Sequence, residues 1–162
     1  MERDTSRFGY TIFCVDIRVE ANGKAIFIGV YTGSLIVQAF PHDLRLVIAS
    51  HFYAYFDDPL KLLKYRVYKD ADVLTEAVTD EPQLADLFQN VPEMPASDRK
   101  LYYDESKLPP GDLPPRRYTR FVTTVAVQSS LDRPCVIRVR YETERGLIPA
   151  GALIINTPEV SQ

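Results

Sequence analysis

The longest two-residue alternation in the chain runs from Leu44 to Phe56. Leu44, Leu46, Ile48, Ser50, Phe52, Ala54 and Phe56 occupy one set of positions, and Arg45, Val47, Ala49, His51, Tyr53 and Tyr55 the other. Side chains of a β-strand point alternately to its two faces, so the first set belongs against a core. The second set is tyrosine-rich rather than charged, which predicts that a loop or a partner covers it. Asp57-Asp58-Pro59 ends the segment. A strand this long needs neighbours, and shorter alternating stretches supply them. Cys135, Ile137, Val139 and Tyr141 alternate with Val136, Arg138, Arg140 and Glu142, a half-buried strand, and Tyr118 to Gln128 alternates similarly. Leu62 to Tyr68 and Val73 to Val78 read as a hairpin around Lys69-Asp70-Ala71-Asp72. Leu35 to Phe40, closed by Pro41, and Ala152 to Asn156 complete the set.

Counted with the first hairpin, these make about nine short strands separated by turn residues, the signature of an all-β antiparallel sandwich, immunoglobulin-like or C2-like. Asp80-Glu81-Pro82-Gln83 predicts one short helix, with Asp80 as its N-cap, Pro82 in its first turn and Leu84, Leu87 and Phe88 on one side. Residues 91–117 carry six prolines and little periodicity, and read as a proline-rich loop insertion. With 162 residues in all, residues 1–162 fit a single domain.

Asn22-Gly23 lies between two apolar runs and signals a tight hairpin. A two-residue turn there pairs Ala21 with Lys24 and sets Val19 opposite Ile26, Ile17 opposite Ile28 and Val15 opposite Val30 on a core face. The other face then carries Asp16 opposite Gly29, Arg18 opposite Phe27 and Cys14 opposite Tyr31, with Glu20 near the turn. Alternating charges can pair along such a strand, and the Arg18 stem can lie on Phe27. Asp16, Arg18, Glu20, Phe27 and Tyr31 are thus the candidate recognition surface. Gly29 would leave room for a partner's backbone.

Charge and composition close off several classes. The formal charge is −3, which gives no global footprint for nucleic acid, and no stretch approaches the ~20 apolar residues of a membrane helix. The opening MERDTSRFGYTIFCVD carries charges where a secretory signal needs an apolar run, so a cytoplasmic protein is expected, with Cys14 and Cys135 as free thiols.

No convergent catalytic set is legible. His42 and His51 are the only histidines, and neither sits in a nucleophile or metal motif. Cys14 with His51 has no spacing that argues for a nucleophile and its base, and the two cysteines and two histidines lack the close pairs of a zinc site. No phosphate-cradling glycine motif occurs, so no cofactor is expected. Asp57, Asp58, Asp70 and Asp72 are a weak calcium alternative, should two turns meet at one rim, although aspartate is also a routine turn residue. Pro114 to Arg120 with Arg138 and Arg140 is the one basic region with an aromatic in it, set against a solvated, charge-balanced strand end.

FCVDIRVEANGKAIFIGVYTGSLIV, followed by AFP and a hydrophobic strand, resembles the opening of a bacterial and prophage-associated β-rich domain family of uncharacterised function, whose members follow CDDIR.E..GK..liGvY. Val15 stands where that pattern often has a second Asp. The likeness covers the first quarter to third of the chain and implies a small β-rich domain without supplying an activity. The expectation is a non-enzymatic interaction or assembly module, a phage or prophage structural or accessory protein, cytoplasmic or virion-associated, that binds a protein partner or itself. A small-ligand or calcium-binding domain is the alternative, and an enzyme a distant third.

Overall fold

A computed structural model describes residues 7–89 and 117–158. Among them the order is β1 (Phe8–Cys14), β2 (Asp16–Val19), β3 (Ala25–Ile28), β4 (Ser34–Ile36), β5 (His42–Tyr55), β6 (Leu63–Lys69), β7 (Asp72–Thr79), α1 (Glu81–Gln89), β8 (Tyr118–Leu131), β9 (Cys135–Thr143) and β10 (Gly146–Asn156). The fold is all-β, with ten strands and one helix in this part of the chain. The expected insertion at 91–117 lies outside the described residues apart from Arg117.

The strands form three sheets. An antiparallel sheet has the order β1-β5-β8, a mixed sheet the order β4-β10-β9-β6-β7, and β2-β3 stands as a two-stranded ribbon. Among the described residues only β4 and β10 run parallel. The alternation of β5 holds: Leu44, Leu46, Ile48, Phe52 and Ala54 are buried, and they share one hydrophobic cluster with Tyr65 and Val67 of β6, Ile137, Val139 and Tyr141 of β9, and Ile148, Leu153 and Ile155 of β10. Ser50 is the polar member of the inward set. Its hydroxyl meets Thr11 Oγ1 at 3.1 Å and donates to the Tyr65 hydroxyl at 3.3 Å, so it is buried without being orphaned.

Two turns follow their local chemistry. Asp70 takes φ 52° between Lys69 and Asp72, and its carboxylate accepts the Val136 N–H at 2.9 Å, which fastens the β6–β7 hairpin to the start of β9. Asp80 caps α1 as expected, accepting the Gln83 N–H at 3.2 Å, and Leu84 and Phe88 face the core while Leu87 is largely exposed.

The first hairpin departs from expectation by one residue. Asp16 pairs with Ile28, Ile17 with Phe27, Arg18 with Ile26 and Val19 with Ala25. Only Gly23 has positive φ (81°), whereas a two-residue type I′ turn needs it at both central residues. The loop is therefore three residues long. Gly23 N–H donates to Glu20 O and Glu20 N–H to Lys24 O, both at 2.9 Å, while the Asn22 side chain accepts the Lys24 N–H at 2.9 Å and donates to Glu20. A one-residue slip turns one strand over relative to the other. Of the supposed core face, Val15, Val19, Ile26 and Val30 are exposed and Ile17 and Ile28 are half-buried. Gly29, opposite Val15 rather than Asp16, leaves no vacancy: a Cβ there would lie 2.7 Å from Val15 Cγ2.

The sheets approach closely at Gly9. A Cβ on that residue would lie 3.0 Å from the His51 carbonyl oxygen and 3.1 Å from the Tyr141 ring, neither of which can swing aside freely. Gly9→Ala should therefore cost about 1–3 kcal/mol through overpacking, measured by chemical denaturation. An unchanged midpoint would contradict this packing.

Candidate functional site

The outer faces of the two larger sheets differ sharply. On the mixed sheet, Arg66 bridges Glu76 and Glu142 (3.1 Å to the latter), Lys64 lies 3.8 Å from Glu142, and the Arg140 guanidinium sits 5.4 Å from the centre of the Tyr68 ring. Ion pairs run across that face beside exposed Ile36, Val78 and Ile154, and the Arg66 hydrogen bond holds Glu76 below the usual carboxylate range.

On the β1-β5-β8 sheet the outer face is aromatic. Register sets Phe8 opposite Tyr53 and Tyr10 opposite His51. Phe8 and Tyr53 stack at 4.7 Å, Tyr10 and His51 at 4.7 Å, and Tyr118 meets Tyr53 edge-on at 5.0 Å. The tyrosine-rich face expected to be covered is thus flanked by β1 aromatics, and Phe8, Tyr10, Tyr118 and Val122 still remain 41–51% exposed. His51 is 8% exposed, and neither ring nitrogen has a hydrogen-bond partner. Burial first, and the Arg120 charge second, lower its pKa.

The sequence-predicted surface is split by the hairpin register. Asp16, Arg18 and Glu20 share a ribbon face with Ile26 and Ile28, while Phe27, opposite Ile17, lies on the reverse face. Tyr31 bridges to Phe13 and packs against the core. Asp16 and Arg18 do approach, at 3.6 Å with side chains 53% and 73% exposed, a pairing worth ~0–1 kcal/mol. The Arg18 stem cannot lie on Phe27 in this register.

The aspartates do not converge. Asp70 and Asp72 sit beside the first residues of β9, at the β6–β7 turn. Asp58 lies at the far end of the same strands, bidentate with Arg145 (2.5 and 2.8 Å). Seven residues of β6 separate the two turns, roughly 20 Å. Among the described residues no group of three potential metal ligands comes together. Cys14 pairs with Val47, four residues along β5 from Tyr10's partner His51, roughly 13 Å away. Its thiol donates to the Val47 carbonyl, and burial, then Asp16, push its pKa up. Cys14 and Cys135 are free and buried. Arg120 and the pair Arg138 and Arg140 sit on outer faces of different sheets, so they do not form one basic patch; residues 114–116 of that region lie outside the described residues.

Sequence reading missed Arg7, whose partners are remote in the chain. Its side chain is fully buried, donates to Glu144 at 2.7 Å and to the Pro59 carbonyl at 3.3 Å, and lies 3.4 Å from Asp58. Glu144 also accepts the Lys61 and Leu62 N–H groups. Burial pushes Glu144 up, but the Arg7 bond and the backbone donors together hold it below the usual range. Among the described residues a cleft of about 370 Å³ opens between α1 and the β5–β6 loop, lined by Phe56, Leu60, Ala85 and Phe88 with Lys61 and Glu81 among its polar residues. Among the described residues no helix is long and apolar enough to cross a membrane. Comparison with family models, curated proteins and solved structures returns no match.

Two pH effects follow. An unfolded Glu144 binds its proton at higher pH than the folded one, so its contribution to stability is present above the unfolded pKa and is lost as pH falls through the folded value. Arg7→Met should cost about 3–5 kcal/mol at neutral pH, and the gap from wild type should narrow on acidification. A gap independent of pH would contradict the pairing. His51, held neutral, makes wild type lose stability as pH drops below the unfolded value near 6.5. His51→Phe should flatten that slope in urea melts at successive pH values.

Proposed function

We propose that this protein is a non-enzymatic interaction or assembly module built on an immunoglobulin-like or C2-like β-sandwich. The observation that carries the reading is the contrast between outer faces. One outer face groups Phe8, Tyr10 and Tyr118 with Val122, all open, around a buried histidine, while the exposed apolar residues of the other, Ile36, Val78 and Ile154, are aliphatic and share their face with ion pairs. Exposed aromatic side chains in a contiguous group are characteristic of partner-binding surfaces. The β2–β3 ribbon, with Asp16, Arg18 and Glu20 on one face and Val19 72% exposed, is a second surface for the same role. A prophage structural or accessory protein, in the cytoplasm or on the virion, is the setting that the N-terminal resemblance suggests.

The small-ligand alternative draws its support from the α1 cleft, whose size and apolar lining suit a small molecule, rather than from the separated aspartates.

Phe8→Glu and the double variant Asp16→Ala/Arg18→Ala should each keep the wild-type melting temperature to within a few degrees, since all three side chains are at least half exposed. In quantitative affinity purification from the source cells, at least one should lose partners that wild type retains. Full retention by both folded variants would remove both surfaces from consideration.

A further inference from the structure

We infer that β8 is a self-pairing edge, through which two copies of this chain join their β1-β5-β8 sheets. The inference rests on the assembly reading above and names the partner: a second copy.

β8 bonds to β5 along one side only, and among the described residues nothing pairs with its other side. Phe56 N–H donates to Arg117 O at 3.1 Å, which fixes the phase of the antiparallel ladder. Hydrogen-bonded and non-hydrogen-bonded pairs alternate, so odd-numbered residues of β8 bond to β5 and even-numbered ones, from Tyr118 to Ser130, turn their N–H and C=O groups outward. The even-numbered side chains are all exposed.

Natural edges of this length are ordinarily blunted by charge, proline, bulges or brevity. The other sheet follows that practice: β4 has three residues, and β7 carries Asp72 and Glu76 beside a register shift in its ladder with β6. At its opposite edge, β1 is crowded by β10, where a Cβ on Gly151 would come 3.0 Å from Thr11. β8 has 14 residues, rich in Thr and Val, with no proline or glycine and one charge, Arg120.

The strand is also compatible with itself. A twofold axis normal to the sheet keeps each side chain on its own face, and the outward-turned residues pair with one another only when it passes through a residue position rather than between two. The middle of the outward series is Thr124. That register sets Thr124 against the partner's Thr124, Val122 against the partner's Ala126, Arg120 against the partner's Gln128 and Tyr118 against the partner's Ser130. No like charges meet, and Thr–Thr and apolar pairs are favourable cross-strand neighbours. The product is a continuous six-stranded sheet with both aromatic patches on one side.

Light scattering of purified wild type should give twice the 18.5 kDa chain mass. Val122→Lys/Ala126→Lys, which opposes lysines across the axis, should give the single-chain mass with an unchanged circular dichroism spectrum. Thr124→Cys should form an intermolecular disulfide on mild oxidation, because the two Cβ atoms face each other, and Gln128→Cys, equally exposed but displaced along the strand, should not. A monomeric wild type at the highest concentration reached overturns the inference, as does a dimer that survives the lysine pair in folded form. If the lysine variant fails to fold, the two cysteine variants decide: equal cross-linking, or none from Thr124→Cys, overturns it. None of these outcomes bears on Phe8 or the ribbon, so the interaction reading itself stands or falls by its own variants.

Discussion

The packing of Tyr141 over Gly9 is the contact on which the arrangement of sheets depends. Tyr141 projects from β9 into the space left by the absent side chain on β1, with Phe52 4.9 Å and Tyr65 5.3 Å away between ring centres. Burial pushes the pKa of its phenol up strongly, which favours the neutral hydroxyl. Around it the inward faces of β5, β6, β9 and β10 close into one cluster. Full burial of a large side chain is worth about 1.5–3 kcal/mol, and roughly a dozen such residues here outweigh any surface ion pair. The Arg7 network then ties the start of β1 to the β5–β6 loop and the β9–β10 turn.

What could be read from the chain was what local chemistry decides. The alternation of β5 and β9, the Asp70 hairpin and the Asp80 cap each rest on residues a few positions apart, and each lies where expected to within a few residues. β10 begins at Gly146 rather than Ala152, because Pro149 and Gly151 sit at a register shift that breaks the alternation while the strand continues. β1 was not foreseen as a strand of its own, because nothing in the residues around Val15 announces the break between it and β2. Asn22-Gly23 marked a turn correctly but misled on its length, since glycine alone supplies the left-handed residue that a three-residue loop needs. One residue of difference then moved Phe27 away from Arg18 and exposed a face expected to be core.

The candidate surfaces were partly legible for a related reason. The tyrosines of β5 were visible as an odd face, but β1's contribution of Phe8 and Tyr10 depends on strand order, which no local pattern encodes. The same limit governed the aspartates, whose separation along β6 follows from topology alone. Arg7 shows it most clearly: its partner Glu144 is 137 residues away. The resulting division of labour places the stabilising chemistry inside and at one rim, and among the described residues leaves the aromatic face, the outer side of β8 and the ribbon exposed.

Site-resolved amide hydrogen exchange tests that division most directly. The ribbon contributes nothing to the hydrophobic cluster, so amides of β2 and β3 should exchange by local opening, orders of magnitude faster than those of β5 and β9, whose exchange requires global unfolding. Ribbon amides as slow as those of β5 would show that the ribbon is part of the cooperative core, and would contradict the account.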